Sequence, residues 1–332
     1  MAHHYRIYGL ELQSTLAFNG LFPGTPGTQA ELSIDWHENE SDLFGSKIQW
    51  RQKEQTGNPD SEIVSFWEAT SADGDLLKLK YAIDDFEIDF ILDQGWRNVS
   101  VVKPDHIKPE RLKSYLLGSV LSSILRARGT ICLHASVVEI DGRAIAFTGP
   151  KSAGKSTTAA ALVQYGARML TDDIAAITTA DRRYHVQPGY MYLRLLPNSI
   201  DALYGESKDK PPATMFGNSK KHIKLDQDGN GYGTYCPDPM PLSCIFQLEP
   251  RSISAVTTVA SRVAPKDRFM MLFQNVYGFL LAKESTYANE FKIISELANS
   301  TPIYRMQRLD DIDKLAMVCE TIFENIDNLK AR

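Results

Sequence analysis

The sequence predicts an α/β protein in two parts, a β-rich segment over residues 1–108 and an α/β segment over residues 109–332. Three observations carry this expectation. Before residue 93, four runs alternate apolar and polar side chains, the pattern of half-buried strands. After residue 131, short apolar runs are interleaved with stretches of helical periodicity. Between an apolar run at 144–148 and a helical stretch at 157–165 lies the loop Gly149-Pro150-Lys151-Ser152-Ala153-Gly154-Lys155-Ser156.

Composition narrows the class. With 43% hydrophobic and 23% charged residues in 332, the chain can bury a sizeable core. Its 36 basic and 41 acidic residues leave a net charge of −5, so no global basic field points to nucleic acid or an anionic membrane. No run approaches the ~18 apolar residues of a membrane span. The first residues lack the apolar stretch of a signal peptide. Cys132, Cys236, Cys244 and Cys319 show no CxxC spacing, so they read as buried free thiols in a reducing cytoplasm.

In chain order, alternation marks strands at 6–12, 63–67, 76–83 and 86–92, separated by turn signals at 23–27, 57–60 and 73–74. The expectation is a small antiparallel β domain. Asp84, Asp85, Glu87, Asp89 and Asp93 form an acidic cluster, and alternation places Glu87 and Asp89 on a solvated strand face. Pro104 and Pro109 bracket a linker. Residues 110–128 carry leucines and isoleucines at helical spacing and end in Arg126, Arg128 and Gly129, as one helix joining the parts.

Residues 132–140 read as a strand centred on His134, joined by the turn signal Asp141-Gly142 to the strand that feeds the loop. A short strand at 168–170 ends in Thr171-Asp172-Asp173. A strand at 190–196, a short helix at 199–204, a polar mobile loop at 205–218 and a basic run, Lys220-Lys221-His222-Ile223-Lys224, follow. The acidic stretch 226–231 resembles half a calcium loop, but position twelve is Pro237, so a hairpin turn is expected. An apolar strand at 242–248, helices at 269–282 and 290–298, a strand at 303–306 and a helix at 311–328 complete the chain.

The loop fits GxxxxGKS, the phosphate-binding pattern, in its required setting of strand, loop and helix. Gly149 and Gly154 let the backbone curl its N–H groups of Lys151, Ser152, Ala153, Gly154, Lys155, Ser156 and Thr157 toward phosphate oxygens. Lys155 adds a mobile positive charge, and the Ser156 hydroxyl can ligate Mg²⁺. Asp172 and Asp173 can divide metal ligation and proton acceptance between them. His134 is either a satisfied core histidine or a contact to the γ-phosphate, the metal or the transferred proton.

With these residues in view, the segment from Leu133-His134-Ala135-Ser136 through GPKSAGKSTTAAALVQYGARMLTDD resembles the C-terminal domain of HPr kinase/phosphorylase. That is a phosphate-loop fold related to phosphoenolpyruvate carboxykinase. The similarity is clearest over 131–177 and weaker at 190–197, 241–249 and 302–306. It implies a catalytic group of Asp172, His134 and Lys155, with Asp172 as base or acid, and a metal held by Ser156 and Asp173. The later signature tied to the phosphorylase direction has no counterpart, and Thr157 stands where those enzymes usually carry Glu. The layout is similar to the HPr-kinase-like proteins of peptide-modification clusters, some of which phosphorylate a serine of a lasso-peptide precursor.

The resemblance therefore implies an ATP- and Mg²⁺-dependent phosphotransferase acting on a serine hydroxyl of a peptide or small protein, with the N-terminal part helping to hold it. Neither nucleic acid nor membrane is an expected partner. Two alternatives stay open, a small-molecule kinase on the same scaffold and an ATP-binding regulatory module without transfer. The oligomeric state, a homo-oligomer included, stays open too.

Overall fold

A computed structural model describes residues 2–44, 48–58, 62–83, 86–104, 107, 109–205, 213–215, 220–229, 232–251, 257–279, 281 and 284–330. Parts of the expected turn at 57–60, loop at 205–218, turn at 226–231 and helix at 269–282 lie outside these residues, as do Asp84 and Asp85. The chain is mixed α/β and divides into two compact units, Met1–Leu116 and Leu117–Arg332.

The first unit is built on β1 (His3–Ile7), β2 (Leu10–Ser14), β3 (Phe22–Pro23), β4 (Leu32–His37), β5 (Arg51–Asn58), β6 (Glu62–Ser71), β7 (Gly74–Ile83), β8 (Phe86–Asp93) and β9 (Asn98–Val102). They form one sheet ordered β3-β1-β2-β4-β9-β8-β7-β6-β5. The expected all-antiparallel pattern is corrected here. β4 runs parallel to both β2 and β9, because the meander β5–β8 is inserted between β4 and β9 and returns the chain in the same direction. Period-two burial holds in β8, where Phe86, Ile88 and Phe90 are buried and Glu87 faces out to Lys80. Asp89 departs from the expected solvated face. It pairs at 3.3 Å with Lys78, an almost fully buried lysine over the Trp50 ring. Burial pushes the Asp89 carboxyl up against the pull of Lys78 and Lys80.

The expected helix at 110–128 is interrupted. α1 (Pro109–Ser114) leads into a π-helical stretch, Tyr115–Val120, and then α2 (Leu121–Ala127), with Gly118 at non-helical angles. The second unit continues with β10 (Ile131–Leu133), β11 (Ser136–Ile140), β12 (Arg143–Thr148), α3 (Lys155–Gln164), β13 (Arg168–Thr171), β14 (Ala175–Ala180), β15 (Arg183–Val186), β16 (Tyr192–Leu195) and α4 (Pro197–Tyr204). Then come β17 (Ala213–Met215), β18 (Lys221–Lys224), β19 (Thr234–Tyr235), β20 (Met240–Leu248), β21 (Val259–Arg262), α5 (Pro265–Phe273), α6 (Glu284–Ser300), β22 (Ile303–Gln307) and α7 (Leu315–Lys330).

The main sheet runs β10-β14-β15-β20-β12-β11-β13-β19, with β22 added on β20 and β21 on β22. α3 packs against β11, β12 and β13 and against α7. Thr158, Ala159, Ala160, Ala161, Leu162 and Val163 are all buried there. Small side chains suit a helix covered on more than one side. A separate sheet, β16-β18-β17, stands beside α3.

Three expected elements differ. The strand at 132–140 is two strands broken at His134 and Ala135. The His134 N–H donates to Asn275 O at 2.7 Å instead of to a sheet neighbour. The helix expected at 269–282 stops at Phe273, and Val276 bridges to Leu133. The segments flanking the expected turn at 226–231 do not pair as a hairpin: β18 pairs with β16, β19 joins β13, and Asp226 meets Thr234 in a parallel bridge.

All four cysteines are free and buried. Among the described residues no helix is long and apolar enough to cross a membrane. A buried ion pair anchors α6 to α2: Arg126 Nε and Nη2 reach Glu290 at 2.8 and 2.9 Å, and Arg126 also donates to Gly278 O. Glu290→Ala leaves that guanidinium buried without its counter-charge. The expected loss is about 3–5 kcal/mol of unfolding free energy in the second unit, measured by urea denaturation. Arg126→Met with Glu290→Leu should recover most of it; equal loss in the double variant would refute this.

Candidate active site

The loop between β12 and α3 is held in a curl that its side chains could not adopt freely. Gly149 has φ +139°, and a Cβ there would stand 2.5 Å from Leu248 O. Ser152 and Gly154 also take left-handed φ, at +66° and +89°. The Gly149 N–H donates to Asn275 Oδ1 at 3.0 Å. Asn275 Nδ2 in turn donates to Gln247 Oε1 (3.0 Å) and Met271 O (2.7 Å), and Thr148 Oγ1 donates to the same Gln247 oxygen at 2.7 Å. One amide therefore ties the start of the loop to β20 and α5. α3 begins at Lys155, and the first-turn N–H groups of a helix have no partner within it. They face an anion favourably, with the helix dipole behind them.

Lys155 is almost fully buried, and its ammonium donates to Gly149 O (2.8 Å) and Pro150 O (3.2 Å). Burial brings it down to about 8, with Lys220 adding to the effect and Asp173 and Asp172 opposing it. Asp172 has no exposed surface, and four donors converge on its carboxylate. Ser136 Oγ (2.6 Å), Ser156 Oγ (2.9 Å) and the Asp173 N–H (3.1 Å) reach Oδ1, and the Arg194 N–H reaches Oδ2 at 3.0 Å. Asp173 takes φ +80°, a left-handed turn that aspartate tolerates better than most residues. Its carboxylate pairs with Arg194 Nη1 at 2.5 Å and lies 3.5 Å from His134 Nδ1.

His134 Nδ1 also lies 3.0 Å from Asp173 O, and its ring stacks on Tyr277 at 5.1 Å between centroids. Burial lowers its pKa below the usual histidine value despite Asp173, so the ring is neutral at pH 7, with Nδ1–H free to donate to that carbonyl. The break between β10 and β11 thus swings His134 out of the sheet and onto the acids. His222 on β18 is brought down to about 4, first by burial and then by Arg194.

On the far side of the loop, Arg308 is buried and donates to Ala153 O and to Glu249 O (3.2 Å). Nη1 lies 3.5 Å from Thr158 Oγ1, and Nε is buried without a partner among the described residues. Burial, with help from Arg251, lowers this guanidinium to about 10.

These groups open on one cavity of about 490 Å³, within the size range of small-molecule sites. Lys151, Lys155, Arg194, Lys220, Arg251 and Arg308 line it against Asp172, Asp173 and Asp311. In a chain of net charge −5 this lining carries more basic than acidic side chains, as a polyanion site requires.

Of the residues singled out from sequence, the structure gathers His134, Lys151, Ser152, Gly154, Lys155, Ser156, Thr157, Asp172 and Asp173 on this cavity. Gly149 and Ala153 shape the loop from behind. Lys220 of the basic run lines the cavity; Lys221 and Lys224 do not. Sequence reasoning missed Arg194, Asn275, Tyr277 and Arg308. Only Asn275 left a signal, a polar residue interrupting the apolar period of 269–282.

The residues present fit a nucleotide with Mg²⁺. The curl of the loop leaves no room for a Cβ at Gly149, which would meet Leu248 O, and the oxygens beside the loop are hydroxyl and carboxylate, the chemistry Mg²⁺ prefers. Among the described residues no group of three or more His, Cys, Asp or Glu side chains could hold a metal alone.

Two outcomes follow. Asn275→Ala orphans the buried Gly149 N–H at a cost of about 1–3 kcal/mol, and ADP affinity measured by calorimetry should fall accordingly, about fivefold or more. Unchanged affinity would remove Asn275 from the site. The Lys155 ammonium is the form that attracts phosphate, so raising pH through its value of about 8 weakens binding. ADP affinity without metal should drop about tenfold between pH 7 and pH 9, and Lys155→Arg should flatten the profile.

No protein-family model matches the chain, and no curated protein aligns with it. Among solved structures it is similar to the Hpr(Ser) kinase/phosphatase from Coxiella burnetii, at 8% identity and a TM-score of 0.33, covering 60% of this chain and 98% of that one. A likeness at that score carries no weight for the chemistry, which rests on the geometry above.

Proposed function

We propose that this chain is an ATP- and Mg²⁺-dependent kinase that transfers a γ-phosphoryl group to a serine hydroxyl of a peptide or small protein. The observation that carries this is the joint between loop and acids. Asp172 is hydrogen-bonded to Ser156 of the loop, and Asp173 lies beside it between Arg194 and His134. A site that only binds phosphate has no use for a second carboxylate at the loop's mouth. The resemblance of residues 131–177 supports a serine of a peptide or small protein as acceptor.

In this reading the loop N–H groups and Lys155 hold the outer phosphates of ATP, which is the main part of the catalytic work in phosphoryl transfer. Ser156 would hold the metal, with Asp172 fixing its hydroxyl. When bound, Mg²⁺ neutralises charge on those phosphates. Asp172, fully buried and already taken by four donors, is placed to fix Ser156 rather than to meet an acceptor. Asp173 is partly open to the cavity, so this reading gives it the incoming proton and exchanges the two acidic roles implied by the resemblance. The acceptor oxygen forms a bond to the γ-phosphorus as the bridging bond breaks, ADP leaves, and the hydroxyl proton passes to an Asp173 oxygen. His134 orients that carboxylate, and Arg194 and Lys220 balance negative charge at the acceptor end.

The test is incubation with ATP, Mg²⁺ and serine-bearing acceptors, a lasso-peptide precursor and HPr among them, read by mass spectrometry as addition of one phosphate. Asp173→Asn should slow transfer by about 10²–10⁴, the usual contribution of a positioned base, while ADP affinity changes little. Asp172→Asn should lose Mg²⁺-dependent nucleotide binding as well as transfer. Transfer undiminished in Asp173→Asn would show that the base is wrongly assigned. Transfer to metabolites but to no peptide would refute the acceptor class.

A further inference from the structure

The loop is gripped from behind as well as from its mouth. Arg308 follows β22 directly and is only 4% exposed. Its guanidinium reaches three elements. Nη2 donates to Ala153 O in the loop and to Glu249 O, 3.2 Å away, just past β20. Nη1 lies 3.5 Å from Thr158 Oγ1 in the first turn of α3.

The bond to Ala153 fixes a direction. A trans peptide carries its C=O and its N–H on opposite sides. With the Ala153 carbonyl turned to Arg308, the Gly154 N–H is turned away from it, and no acceptor among the described residues takes that N–H. Gly154 itself lines the cavity. A Cβ at Gly154 would stand 3.3 Å from Arg308 Nη1, so the second glycine of the loop makes room for this guanidinium as well as taking a left-handed φ.

The charge of Arg308 is also unanswered. The acids around it are engaged elsewhere: Arg305 holds the Glu249 carboxylate (3.0 Å), Arg251 holds Asp310 (3.1 Å), and Asp311 accepts the Asp313 N–H (3.0 Å). Nε is buried without a partner among the described residues. A buried charge with no counter-charge is costly, and an anion delivered next to it removes that cost. Arg308 lines the same cavity as Lys155.

We propose that Arg308 is a positioning residue of the phosphate loop: it turns the Gly154 N–H toward the bound phosphate, and that phosphate is the missing counter-ion of its guanidinium. This inference rests on the proposed phosphate-loop function and deepens it. Lys155 meets the phosphate from the cavity; Arg308 acts through the loop.

The test uses the full chain and inorganic pyrophosphate, with the protein labelled by carbonyl-¹³C alanine and ¹⁵N glycine. Ala153-Gly154 is the one Ala-Gly pair in the sequence, so a carbonyl-to-amide correlation spectrum reports the Gly154 N–H alone. In wild-type protein, pyrophosphate should move that peak downfield. Arg308→Met keeps the bulk but drops the charge and the donors. It should weaken pyrophosphate at least about tenfold by calorimetry, and its Gly154 peak should move less at saturation. Arg308→Lys returns the charge without the fork and should weaken pyrophosphate only about threefold. A wild-type Gly154 peak that stays in place at saturating pyrophosphate overturns the proposal without any variant. Wild-type affinity in Arg308→Met overturns it too, leaving Arg308 a structural brace. Arg308→Lys as weak as Arg308→Met overturns the counter-ion, and a full Gly154 shift in Arg308→Met overturns the orienting role. Each of these results spares the phosphate-loop reading. Wild-type protein that binds neither pyrophosphate nor ADP overturns that reading itself.

Discussion

The candidate site depends on one buried carboxylate. Asp172 accepts hydrogen bonds from Ser136 on β11, from Ser156 on α3 and from the Arg194 backbone on β16. It therefore joins the sheet, the loop helix and the small second sheet at a single point. A carboxylate buried this deeply is tolerated only when its oxygens are fully engaged. Here the engagement sets the positions of three elements at once. The neighbouring Asp173, turned by its left-handed backbone, then presents its carboxylate to Arg194 and His134.

A second constraint acts from the other flank. Asn275 accepts the Gly149 N–H with its side chain and the His134 N–H with its backbone carbonyl. The same residue thus sets the first glycine of the loop and the break that brings His134 out of the sheet. Tyr277, two residues on, stacks on the His134 ring. Loop, histidine and acids are positioned by the short segment after α5 and by β16, neither of which carries a recognisable motif.

What the sequence made legible was local. The phosphate loop could be read because its requirements are met within eight consecutive residues: glycines where φ is positive, and Lys-Ser at the helix start. The Asp172-Asp173 pair could be read because it closes the next strand. Arg194, Lys220, Asn275 and Arg308 reach the site from distant segments by tertiary packing that no short-range pattern encodes. The break at His134 was hidden because apolar residues flank it on both sides and make one strand out of two. The helix expected to 282 ended early because the Asn275 side chain and the Val276 bridge satisfy groups elsewhere. In the first unit, alternation located the strands, while the parallel placement of β4 followed from a long insertion that periodicity does not register.

The most direct test of the central claim is a crystal structure with Mg²⁺ and ADP. The expected result places the terminal phosphate against the N–H groups at the start of α3. Lys155 should leave the Gly149 and Pro150 carbonyls for the phosphate, and Ser156 should be drawn to the metal beside Asp172. A structure with ADP lodged elsewhere, and Lys155 still on those two carbonyls, would contradict it.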